Sequence, residues 1–159
     1  MQLTRFTDIG LRVVMRLVTA PADTTLTSRD LAAELAVPYT HVAKVVSRLS
    51  ELGVIHSRRG RSGGIAVTEL GRTAQVGWLA SKLEGDGEVV DCDGPQPCPL
   101  RGNCKLRGAL AQAQRAFYDS LDAHTIDELA SSSARITLLS IGTPTRTTAS
   151  GTEDAAGIR

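Results

Sequence analysis

Residues 31–49 read LAAELAVPYTHVAKVVSRL, two apolar periodicities separated by a single proline. In the first half Leu31, Ala32 and Leu35 fall on one side of a helix about two turns long. Thr27, with Asp30 three residues on, supplies an approximate capping box for its start. Pro38 opens the second half, since the backbone donor it lacks would be unpaired at a helix start in any case. From about Tyr39 to Glu51, Val42, Val45, Val46 and Leu49 recur as one buried face, while Thr40, Lys44 and Ser47 with Arg48 fall opposite. Gly53 stops this helix. Two short helices joined by a tight turn have the outline of a helix-turn-helix, whose second helix enters the major groove of DNA.

A polar stripe alone is the ordinary condition of a surface helix, so the following residues carry the argument. Val54, Ile55 and His56 predict a short strand, RRGRSGG brings Arg58, Arg59 and Arg61 together with Gly60, Gly63 and Gly64, and Ile65, Ala66 and Val67 predict the return strand. Glycines let the backbone bend and approach closely, while arginines reach phosphates or a narrow minor groove. The arginines of a merely solvated turn would not be expected directly behind such a helix pair. The expected fold is mainly α, a winged helix-turn-helix followed by a long helix. Candidate DNA contacts are Ser28, Tyr39, Thr40, His41 and Lys44 near the groove, with Arg48, Arg58, Arg59 and Arg61 mainly on the phosphate backbone.

Upstream, Phe6, Ile9, Val13, Met15, Leu17 and Val18 predict a helix over 7–20, capped by Thr7 or Asp8 and ended by Pro21. Downstream, residues 68–85 are expected to be mostly helical, with Val76, Leu79, Ala80 and Leu83 on one side and Trp78 packing nearby. Leu106, Leu110, Ala113, Phe117 and Leu121 then recur at steps of four and three, the seam of two helices packed side by side. Little in a compact winged helix could cover that seam, so a two-fold homodimer is expected. Thr125 caps a short last helix, and residues 142–159, nearly without large apolar side chains, are expected to be disordered. This divides the chain into a DNA-binding unit (1–83), a cysteine loop (84–105), a dimerisation helix with a short C-terminal helix (106–135) and a tail (142–159).

All three cysteines lie in that loop, DCDGPQPCPLRGNC, with five residues between Cys92 and Cys98 and five between Cys98 and Cys104. Gly94, Pro95, Pro97, Pro99 and Gly102 rule out a regular helix there. Three thiols on one shaped loop can converge on a metal centre, being soft ligands suited to iron-sulfur clusters, copper(I) or zinc. Cysteines serving only as small core residues would be scattered. An odd count and no secretory signal argue against disulfides and for a reduced, cytoplasmic setting.

The 159 residues carry a net charge of only +1, yet unevenly: residues 1–82 hold 11 Lys and Arg against 6 Asp and Glu, and residues 83–159 hold 7 against 11. The first half is therefore suited to a polyanion. No apolar run approaches the roughly 20 residues of a membrane span. No cofactor motif beyond the cysteines and no catalytic constellation appears, so an enzyme is not expected.

The opening FTDIGLRVVMRL, the helix pair, the wing GVIHSRRGRSGGI and the evenly spaced cysteines ahead of a long helix together resemble a family of bacterial iron-sulfur winged-helix repressors over residues 1–140. The resemblance implies a dimer whose Cys92, Cys98 and Cys104 hold an iron-sulfur cluster that controls DNA binding. In one branch a histidine follows the third cysteine by three residues; here that position is Arg107. Nitric-oxide-sensing members complete the cluster with a carboxylate from the start of the first helix of the other subunit, and Asp8 occupies the matching place. The resemblance thus implies a repressor that releases operator DNA on reaction with nitric oxide, with a four-iron cluster favoured over a two-iron one. Sensing of redox state or cluster supply, or a zinc site made by the same four ligands, are the alternatives.

Overall fold

The computed structural model describes residues 2–21, 24–58, 63–85 and 87–130. The expected tail, and with it Arg59 and Arg61, lies outside the described residues. Seven helices and a two-stranded sheet follow in the order α1 (Arg5–Thr19), α2 (Ser28–Glu34), α3 (Tyr39–Glu51), β1 (Ile55–Arg58), β2 (Gly64–Val67), α4 (Glu69–Thr73), α5 (Val76–Glu84), α6 (Lys105–Leu121) and α7 (Ile126–Ala130).

The helix pair forms where the sequence places it. Thr27 accepts from the Asp30 amide while the Asp30 carboxylate accepts from the Thr27 amide, a complete capping box on α2. These bonds hold the Asp30 carboxyl below its ordinary pKa, the backbone bond contributing most. Pro38 precedes α3, and Gly53, at φ +72°, follows it in the left-handed region that glycine adopts without penalty. Val42, Val45, Val46 and Leu49 of α3 are buried as expected. They join Ile9, Val13, Val14 and Leu17 of α1, Leu31 of α2 and Ile55 and Ile65 of the sheet in one core. β1 and β2 pair antiparallel with Ile55 opposite Val67.

Four features differ from the sequence reading. The cap of α1 is Thr4, not Thr7 or Asp8: its hydroxyl accepts from the Thr7 amide, and Thr7 itself is fully buried. Leu26 forms an isolated antiparallel bridge with Ile65, on β2. Residues 68–85 are two helices, because at Ala74 and Gln75 the backbone turns extended and bonds across to the segment before α7: Val76 donates to the His124 carbonyl and Ile126 to that of Ala74. Finally α7, which the sequence groups with the dimerisation segment, packs against α1 and puts fully buried Ile126 into the main core.

The long helix α6 runs back along α5, and its far end is fastened tightly. The Asp122 carboxylate accepts from the Trp78 amide at 2.7 Å, filling an open donor in the first turn of α5. Beside it Gly77 has no room for a side chain: a Cβ there would collide with the Tyr118 carbonyl and the Asp122 carboxylate. No residue of α6 is buried.

Thr27→Ala should lower unfolding free energy by about 1 kcal/mol through loss of the cap, measured by urea titration. Because the Asp30 pKa is depressed, its contribution is present above the unfolded aspartate pKa and fades as the pH falls through the folded one. The stability gap between wild type and Asp30→Ala should accordingly be seen at neutral pH and close in acid. Gly77→Ala should cost roughly 1–3 kcal/mol by overpacking, whereas Gly87→Ala, whose Cβ would meet nothing within 4 Å, should stay within about 0.5 kcal/mol.

Candidate metal loop and nucleic-acid interface

The loop between α5 and α6 carries the three thiols, all free. Prolines and glycines keep its backbone irregular, and its own polar groups shape it. The Cys98 amide donates to the Cys92 carbonyl at 3.0 Å, drawing these two residues together, and Cys104 sits at the start of α6 as its cap residue. Cys92 is buried and the other two are half-buried. Desolvation raises the Cys92 pKa; the neighbouring Arg107 cation opposes this, and the other two thiols, close enough to act on it as like charges, add to it. As the loop stands, no three His, Cys, Asp or Glu side chains among the described residues are gathered closely enough to hold a metal ion. The donor set nonetheless fits a soft metal: three reduced thiols on one strap, within electrostatic reach of one another. Metal uptake would complete the convergence, as binding commonly completes folding at such sites.

Arg107 lies in the first turn of α6 and is not available as a ligand. Its guanidinium is bound bidentate by Glu88 at 2.6 and 2.7 Å and reaches Asp93 at 3.1 Å. The hydrogen bond from Arg107 holds the Glu88 carboxyl below its ordinary range. Asp8 is in the first turn of α1, half exposed, and pairs at 2.8 Å with Arg12 one turn on.

The candidate DNA contacts fall in three groups. Tyr39 and Thr40 are exposed at the start of α3, and Lys44 and Ser47 continue that open face. Ser28, Arg58 and Gly64 line a cleft of about 290 Å³ between α2, α3 and the wing. His41 is half-buried, and with Lys44 it lines a second cleft, shared with Arg5 and Phe6 of α1. Arg48 is directed differently: it donates to the Lys82 carbonyl at 3.3 Å and pairs with Glu51, so its side chain joins α3 to α5. Arg29 is absent from the sequence reading. Its guanidinium stacks over the Tyr39 ring at 5.2 Å and carries a cation to the head of α3. Its signal in the sequence is an exposed basic residue on the first helix of the pair, ten residues before the ring it stacks on.

Comparison with known proteins agrees with this architecture. The chain is 55% identical over 130 residues to the HTH-type transcriptional repressor NsrR of Streptomyces coelicolor, spanning 81% of this chain and 88% of that protein. It is 34% identical over 131 residues to the HTH-type transcriptional regulator NsrR of Geobacillus kaustophilus, spanning 81% and 89%. The fold is that of the global cysteine regulator CymR of B. subtilis (TM-score 0.62, 22% identity, 82% of this chain and 97% of that one). It is equally that of IscR from T. potens (TM-score 0.62, 15% identity, 81% and 85%). These relatives are regulators, not enzymes, and no helix among the described residues is long and apolar enough to cross a membrane. Residues 3–132 match the Rrf2 family, described as iron-dependent transcriptional regulators, and on this match and the identities above the chain belongs to that family.

Proposed function

We propose that the protein is a cytoplasmic homodimeric repressor that binds operator DNA through α2, α3 and the wing and releases it on exposure to nitric oxide. Cys92, Cys98 and Cys104, with Asp8 of the partner subunit, would hold an iron-sulfur cluster of the four-iron kind. The observation that carries this reading is the presence of three free thiols on one loop of a chain 55% identical to a repressor named NsrR. The nitric oxide signal itself follows from the resemblance to nitric-oxide-sensing repressors. When bound, such a cluster supplies iron that nitric oxide can attack.

The roles of the chain's own residues follow from their placement. The thiolates anchor the loop. Asp8 is held in its own chain only by an exposed pair with Arg12 on the same helix, worth roughly 0.3–0.5 kcal/mol, so exchanging that partner for a metal costs little. A carboxylate is a harder ligand than thiolate and the more easily displaced of the two. Because Asp8 belongs to α1, whose Ile9, Val13 and Leu17 share a core with α3, gain or loss of its bond would bear on the orientation of the reading helix. The homodimer is supported by α6: Leu106 is 64% exposed, Ala113 is exposed, and Leu110 and Phe117 of the same stripe are no more than half-buried among the described residues.

Anaerobic purification with iron and sulfide analysis, visible absorption and gel-shift on a promoter fragment during nitric oxide titration tests this reading. Absorbance and DNA binding should disappear together, and Asp8→Ala should alter cluster lability or DNA affinity. Colourless protein, with or without zinc, that still binds DNA would sink the sensor assignment. Lys44→Ala should weaken binding and, if Lys44 meets a phosphate, reduce the slope of log affinity against log salt by about one unit.

A further inference from the structure

We propose that Arg107 is the positioning residue of the cysteine loop: its guanidinium clamps Glu88 and Asp93, on the strand of loop that delivers Cys92, to the first turn of α6, which delivers Cys104. This rests on the reading of the three thiols as a metal-binding set and adds a residue outside that set.

The clamp closes a specific gap. Among the described residues, Gly85 and residues 87–104 run from the end of α5 to the start of α6 without regular structure, so Cys92 is separated from Cys104 by chain that can spread. Only a few bonds oppose spreading. Cys98 is tied to Cys92 by one backbone hydrogen bond, and Asp93 lies 3.8 Å from Arg101 on the same loop. Gln114 reaches the Gly87 carbonyl at 3.0 Å, but behind Glu88 and farther from the thiols. The bonds from Arg107 to Glu88 and Asp93 are the ones that join the Cys92 strand directly to the helix turn beginning at Cys104.

Surface ion pairs contribute little as a rule. This one differs in two respects. The Glu88 contact is a two-pronged fork of short charge-assisted bonds, and the same guanidinium also engages a second carboxylate. Arginine is the residue that can do this, since lysine has the charge but no planar fork. The Arg107 side chain is also only 30% exposed, more sheltered than either carboxylate. Its second consequence is electrostatic: a cation fixed in the first turn of α6, against carboxylates of the loop that carries Cys92, would favour the reduced form of a bound cluster.

The test uses the full-length protein in two arms. In the metal-free protein, hydrogen exchange of the Cys98 amide, which is bonded to Cys92, reports the loop directly. Arg107→Gln should speed that exchange about tenfold while leaving amides of α1 to α3 unchanged, and Glu88→Gln should do the same. Arg107→Lys should speed it nearly as much. In the anaerobically reconstituted protein, Arg107→Gln should lower the reduction potential, and Arg107→Lys, which keeps the charge, should restore it toward wild type. Those paired results separate position from charge and would not arise from general destabilisation. Unchanged Cys98 exchange in Arg107→Gln overturns the clamp whatever the metal content. Wild-type protein that takes up no iron and sulfide overturns the metal reading, and the exchange arm still decides the clamp.

Discussion

The carboxylate of Asp122 against the Trp78 amide is the constraint on which the rest of the architecture depends. It closes an antiparallel pair, α5 and α6, whose near ends are joined by the cysteine loop. Gly77 is part of the same contact, because only a residue without a side chain lets the α6 backbone come this close. Fixing the far end of the pair limits how widely the loop's two ends can separate, and so reduces the entropy lost when its thiols are brought together. An irregular stretch of this length inside a compact protein calls for a functional explanation. Here its ends are held by helices and its middle is left to chemistry.

The same anchoring relates the loop to the helix-turn-helix. The end of α5 receives α1 through Glu84, whose carboxylate accepts from both the amide and the hydroxyl of Thr4. It receives α3 through Arg48, bonded to the Lys82 carbonyl. Thus the last turn of α5 touches the helix that carries Asp8 and the helix that carries Tyr39 and Lys44, immediately before the chain enters the cysteine loop. A displacement of that turn would be felt at both. Packed interiors shift between discrete arrangements more readily than they deform continuously.

Legibility in the sequence followed the range of the interactions. The α2 capping box, the buried face of α3, the glycine that ends it and the wing were all visible because their signals lie within a few residues: Thr27 and Asp30, Val42 to Leu49, Gly53, the glycine-arginine cluster. Regions shaped by distant partners were not. The extended break at Gln75 exists because residues near Thr125 bond to it, and neither segment announces the other. Ile126 reads as part of a short trailing helix until its burial beneath α1 is known. The cap of α1 went to Thr4 because a hydroxyl three residues ahead of the Thr7 amide could reach it, while Thr7 was taken into the core. For the site, the spacing of Cys92, Cys98 and Cys104 was plain, but the partners of Arg107 lie 14 and 19 residues away across a loop with no periodicity.

Arg48 and Arg107 make the more general physical point about charge. Both are basic, both lie on helices beside a candidate site, and composition alone assigns both to an anionic partner. In the fold each is answered by the chain's own groups, Arg48 by Glu51 and a helix-terminal carbonyl, Arg107 by Glu88 and Asp93. At the head of α3, Arg29 is instead stacked on Tyr39. A guanidinium whose donors are already satisfied by carboxylates gains less from a phosphate than one over an aromatic ring, whose N–H groups at the ring edge remain open. Charge is therefore best assigned after hydrogen bonding, and by that criterion Arg29, Lys44 and Arg58 are better placed than Arg48 to meet an anionic partner.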